Sequence, residues 1–170
     1  MLKILIVEDE PSLADRLKYL IVLNPRYEVT AIADDLAGAM AAAEERLPDL
    51  ALVDLQLARG STGFTVAVKL NELGVPSLFT SGKAPSFPMP DLALGCLLKP
   101  YSEEDLVRAL KTAEDIMKGR ERLRPSRPSN LKLYSAEEAV EEPASPVFLP
   151  ARAAAGKRSF RSVINRWLAA

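Results

Sequence analysis

The stretch Leu50-Ala51-Leu52-Val53-Asp54 constrains this chain most: four consecutive apolar residues and a carboxylate, between Pro48 and a loop holding Gly60 and Gly63. A run this short, apolar at successive positions, suits a strand buried on both faces, and such strands belong to parallel sheets covered by helices on either side. Asp54 then stands at the C-terminal end of its strand. In open α/β sheets the ligand crevice lies outside those ends. Three other apolar runs end in reactive groups: Leu2 to Val7 in Glu8-Asp9-Glu10, Ser77 to Phe79 in Thr80-Ser81-Gly82, and Cys96 to Leu98 in Lys99-Pro100. With Tyr27 to Ile32 this makes five strands. The expectation is a doubly wound five-stranded parallel sheet with acids, a hydroxyl and an amine converging on Asp54.

The stretches between the runs read as helices. Pro11 opens the first, through about Leu23, with Leu13, Leu17, Leu20 and Ile21 on one face. Asp34 or Asp35 caps an alanine-rich second helix to about Arg46. A third, Phe64 to Leu73, is expected to turn Phe64, Ala67, Val68 and Leu70 inward and to close at Gly74. Ser102 with three acids behind it starts the last, with Leu106, Val107, Leu110, Ala113 and Met117 inward. Between Lys83 and Pro90 three prolines argue against a helix, so that crossover should be a loop or single turn.

After Gly119 the composition shifts to Pro, Arg and Glu. We read three parts: residues 1–118 as one domain, 119–156 as a largely disordered linker in which Leu131 to Tyr134 is a candidate short strand or docking patch, and 157–170 as an amphipathic helix. On that helix Phe160, Val163, Ile164, Trp167 and Leu168 share a face, suited to the domain itself, a partner or a membrane surface.

With no histidine in 170 residues, Ser-His-Asp and Cys-His catalysis are excluded, and a divalent ion must be held by oxygen, which favours Mg²⁺ or Mn²⁺ over zinc. A single cysteine allows no internal disulfide. Net charge of -1 gives no general attraction to nucleic acid, and the Arg-rich run 120–127 lacks interleaved aromatics. The sequence shows no signal peptide and no apolar stretch near the ~18 residues of a membrane span, so the expectation is a soluble cytoplasmic protein whose partners are proteins and not a membrane. Adjacent carboxylates Glu8 and Asp9 facing Asp54 would repel one another. A hard cation relieves that repulsion and lets one carboxylate attack phosphorus. Lys99 and Ser81 would then supply donors to the new phosphoryl oxygens.

The acid pair after the first strand (Glu8, Asp9), lone Asp54 after the third, Ser81-Gly82 after the fourth and Lys99-Pro100 after the fifth resemble the receiver domain of bacterial two-component response regulators. The likeness covers about residues 1 to 118 and implies a flavodoxin-like receiver fold. It also implies Asp54 as phosphoacceptor, Asp9 as direct Mg²⁺ ligand, Glu8 as a ligand through water, the Gln56 carbonyl as a further ligand, Ser81 as switch hydroxyl and Lys99 as the phosphate-binding lysine. Expected partners are a sensor histidine kinase or histidine phosphotransfer protein and a downstream protein target, with signalling by contact, no DNA-binding output domain, and no chemistry beyond Mg²⁺-dependent phosphorylation and dephosphorylation of the protein itself. Two departures stand out: Cys96 replaces the usual aromatic three positions before the lysine, and the crossover before the last strand lacks its helix. Phe79-Thr80-Ser81-Gly82 is similar to the fourth strand of a minority subgroup with a Phe-x-Thr-Gly pattern.

Competing readings are a pseudo-receiver scaffold acting through its tail, and an aspartyl-nucleophile phosphohydrolase. The latter normally carries a second Asp two residues beyond its nucleophile on strand one, where Glu10-Pro11 follow Asp9 here. A dinucleotide-binding turn is excluded because acids replace the phosphate-cradling glycines.

Overall fold

The computed structural model describes residues 1–57, 60–120 and 127–134. The expected helix at 157–170 and most of the proposed linker lie outside them. In chain order the elements are β1 (Leu2–Val7), α1 (Pro11–Val22), β2 (Tyr27–Ala33), α2 (Leu36–Glu45), β3 (Leu50–Asp54), α3 (Gly63–Glu72), β4 (Ser77–Ser81), β5 (Gly95–Leu98), α4 (Glu103–Met117) and β6 (Leu131–Leu133). The sheet order is β2-β1-β3-β4-β5-β6. The first five strands pair in parallel, and β6 runs antiparallel along β5.

Side-chain alternation along each strand builds two cores. Ile4, Ile6, Leu50, Leu52, Leu78 and Leu97 face α1 and α4. Leu5, Val7, Ala51, Val53, Phe79 and Cys96 face α2 and α3. Every residue of β3 is buried, as a central parallel strand requires. Ala39 and Ala43, both buried, are the small residues that bring α2 down onto the sheet.

The helix starts follow local chemistry. Asp35 Oδ1 accepts from the Gly38 N–H at 2.8 Å, and Thr62 Oγ1 from the Thr65 N–H at 3.2 Å. Ser102 and Asp105 form a reciprocal capping box at α4. Pro11 opens α1 where a missing N–H costs nothing.

Three details refine the sequence reading. The sheet has six strands rather than five, and the addition is Leu131–Leu133, the candidate short strand within the segment read as linker. Leu131 lies 3% exposed in the α1/α4 core beside its partner Leu97, and at β5 the backbones approach so closely that a Cβ on Gly95 would lie 2.3 Å from the Lys132 carbonyl. On α3 the inward stripe is Gly63, Val66, Ala67 and Leu70, whereas Val68 is 40% exposed. The phase is set by Gly63, whose N–H donates to the Leu55 carbonyl at 3.2 Å and whose missing Cβ leaves room for β3. Val107 on α4 is only partly buried; Ala109 takes the inward place.

Between β4 and β5 the described residues form no helix, as the prolines at 85, 88 and 90 led us to expect. A turn at Met89 to Ala93 carries the chain instead, with the Leu92 and Ala93 N–H groups donating to the Met89 carbonyl. Met89 and Leu92 pack partly buried against the α2/α3 core.

Candidate functional site

The site lies at the C-terminal ends of β1, β3 and β5. Asp54, last residue of β3, is 6% exposed, and Glu8, just after β1, is 3% exposed. One carboxylate oxygen from each of Glu8, Asp9 and Asp54 lies within 4.8 Å of the others. Lys99 enters from the end of β5 and donates from Nζ to Asp54 Oδ2 at 2.6 Å and to Glu8 Oε2 at 3.1 Å. Its backbone is fixed as well, its N–H donating to the Ser81 carbonyl at 2.8 Å.

Two nearly buried carboxylates thus share one ammonium. Burial and then the Asp54 charge push the Glu8 carboxyl above its ordinary pKa, with Lys99 acting against both. Burial opposes the Lys99 ammonium, but its bonds to Asp54 and Glu8 outweigh that and hold its pKa above the usual lysine value. A second cation is what such a cluster accepts. Close oxygen donors without nitrogen or sulfur match a hard ion of the Mg²⁺ type, so the residues present fit the metal.

The other expected residues are placed less directly. The Gln56 side chain is exposed, but its N–H donates to Asp54 Oδ1 at 3.1 Å, which brings its peptide to the carboxylate. Thr80 stands beside Asp54 in the strand register. Ser81, one residue further on, is buried, and its Oγ accepts from the Lys83 N–H at 3.2 Å.

Two residues at the site were not singled out from sequence. Gly63 lies against Asp54 itself: a Cβ there would come within 2.2 Å of the Asp54 carbonyl oxygen. A glycine directly after an N-cap threonine was the available signal. Tyr101 follows cis-Pro100, and burial pushes its phenol up to about 12. Tyr101 lines a largely apolar cavity of about 200 Å³ with Lys99, Pro100, Arg16 and the α1 leucines 13, 17 and 20. Cys96, the departure from the usual aromatic, is buried in the α2/α3 core with its thiol pushed up to about 11 by desolvation, the behaviour of a small packing residue.

A doubly wound sheet with this acid cluster and a lysine at its carboxyl edge defines a receiver-type phosphoacceptor domain. The family model described as the response regulator receiver domain matches residues 4–111, and the chain belongs to that family. The DNA-binding response regulator MtrA of Mycolicibacterium smegmatis is 35% identical over 123 residues, covering 72% of this chain and 50% of MtrA. The sensory transduction protein LytT of Bacillus cereus is 32% identical over 117 residues, 65% of this chain and 46% of LytT. The chain therefore spans about half the length of these curated relatives. Among solved structures, a CheY-like receiver domain protein from Methanospirillum hungatei aligns with TM-score 0.62 at 26% identity, over 70% of this chain and 98% of its own. A LuxR-family response regulator from Aurantimonas aligns with TM-score 0.60 at 25% identity, over 82% and 95%. Glu8, Asp9 and Asp54 form the acidic cluster that binds Mg²⁺ in this family. Among the described residues no helix is long and apolar enough to cross a membrane.

Proposed function

We propose that the chain is the phosphoacceptor of a phosphorelay, taking a phosphoryl group on Asp54 from a phosphohistidine of a sensor histidine kinase or phosphotransfer protein and signalling by protein contact. The observation that carries this is the Asp54 carboxylate at a strand end, paired to Lys99 at 2.6 Å beside Glu8 and Asp9. In the transfer, an Asp54 oxygen forms the bond to phosphorus as the donor's P–N bond breaks, and the electron pair stays with the imidazole nitrogen. Glu8, Asp9, Asp54 and the Gln56 carbonyl would hold Mg²⁺, which neutralises charge on the transferring group. Lys99 supplies the fixed ammonium and Ser81 the hydroxyl that donates to the product, a role that accepting from the Lys83 N–H does not occupy. We place the protein in the cytoplasm on this reading.

The test is phosphate incorporation from a small-molecule phosphodonor with Mg²⁺ into wild type and Asp54→Asn side by side. Label in wild type alone supports the reading. No label in a folded wild type that binds Mg²⁺ overturns it in favour of the scaffold.

A further inference from the structure

Among the described residues, four buried side-chain polar atoms have no hydrogen-bond partner, and two of them belong to the short segment that carries β6: Asn130 Oδ1 and Tyr134 Oη. Docking strips both of water and returns nothing, so undocking would recover what docking costs them. Beyond the three antiparallel pairs of β5 with β6, two backbone bonds hold the ends of the segment: the Leu98 N–H donates to the Asn130 carbonyl at 2.9 Å, and the Tyr134 N–H to the Leu94 carbonyl at 3.0 Å. The Asn130 amide makes two long contacts, 3.4 Å to the Leu98 carbonyl and 3.3 Å to Asp105 Oδ2, an oxygen that already accepts from the Ser102 N–H and hydroxyl. A strand of three residues gains little from pairing alone, and the buried Leu131 side chain is its principal anchor.

This short strand is joined to the site by one peptide. Leu98, which carries both contacts to Asn130, precedes Lys99, whose N–H is bound to Ser81 and whose ammonium is bound to Asp54. A phosphoryl group on Asp54 moves the negative oxygens outward from the carboxylate, and the ammonium follows them.

We propose that β6 is a releasable strap: phosphorylation of Asp54 shifts Lys99, loosens the hold of Leu98 on Asn130, and frees residues 130–134 from the β5 edge, so that the chain beyond Tyr134 loses its anchor. This rests on the phosphoacceptor reading above. The strap also makes 134, rather than 118, the functional boundary of the receiver.

The experiment is site-resolved hydrogen exchange on the full chain, with intact mass read in parallel, before and after treatment with acetyl phosphate and Mg²⁺. In the untreated protein the amides of Leu98 and residue 134 should exchange faster than those of β3 and β4. Tyr134→Phe, which removes one orphaned hydroxyl while keeping the ring, should slow them by about tenfold. Phosphorylation should speed them by about tenfold in wild type, leave β3 and β4 unchanged, and act less on Tyr134→Phe. Phosphoryl uptake by mass with unchanged exchange at Leu98 and residue 134 overturns the strap while leaving the phosphoacceptor reading intact. Absence of uptake overturns that reading and the coupling with it.

Discussion

Two ends of the same sheet bury acids, and they are balanced in opposite ways. At the carboxyl edge, Glu8 and Asp54 share the single ammonium of Lys99. At the other end, Glu114 on α4 receives Arg26 at 2.7 Å and Lys118 at 2.6 Å, with Arg120 at 3.9 Å. Burial pushes both glutamates toward the neutral form, but the outcome differs. Glu8 ends above the ordinary carboxyl pKa, while the cations at Glu114 overcome desolvation and hold it below. A buried carboxylate is therefore not in itself a sign of chemistry. The informative quantity is the local charge balance: a deficit of cations leaves a site able to take up an ion and a phosphoryl group, and a surplus makes a structural clamp.

The largest effect that would break this contrast is at Asp54. Asp54→Asn should abolish phosphoryl uptake entirely, measured as incorporated label, while circular dichroism stays native. Lys99→Met removes the shared cation and leaves two carboxylates facing each other, at a cost of about 3 kcal/mol in denaturant unfolding without divalent ions. Mg²⁺ should restore much of that loss and raise the melting temperature of the variant more than that of wild type; an equal rise in both would show that the cluster is not starved of positive charge. Gly63→Ala forces a methyl against the Asp54 carbonyl oxygen, and should cost about 2 kcal/mol together with slower phosphorylation, because the Asp54 backbone must move. The smallest expected effect is at the clamp. Glu114→Gln should lose about 1 kcal/mol at neutral pH, since two of its basic partners are half exposed. A depressed carboxyl contributes stability above its unfolded pKa and loses it as pH falls through the folded value. The gap between wild type and Glu114→Gln should therefore close as unfolding is measured progressively below the ordinary value of 4.5. A gap that widens in acid would reverse the assignment of the two ends.

The legible parts of the molecule were those whose cause is local. Asp54, Lys99 and the Glu8-Asp9 pair could be placed because each directly ends an apolar run, and strand ends in a parallel sheet fall on one edge. Ser102 and Asp35 were legible because an N-cap acts on the next three residues. What the sequence left open depends on distant partners. Leu131 to Tyr134 could be marked only as a candidate short strand or docking patch, because what decides between them is the open edge of β5 and the close approach that Gly95 allows. On α3, Ala67 and Leu70 were read correctly and Val68 was not: contact of Gly63 with β3 turns Val66 in and Val68 out. Phe64 is held partly buried, its ring edge-on to Phe79 with centroids 5.6 Å apart.

The antiparallel strand also orders events during synthesis. Asn130 follows Leu98 by 32 residues, so a ribosome has exposed β5 and most of α4 before the strand that covers them leaves the exit tunnel. Until then a nascent receiver presents β5 as an open edge, the kind of surface that pairs with neighbouring chains. The time a ribosome takes to add the 32 residues that separate Asn130 from Leu98 thus sets how long each new molecule remains adhesive.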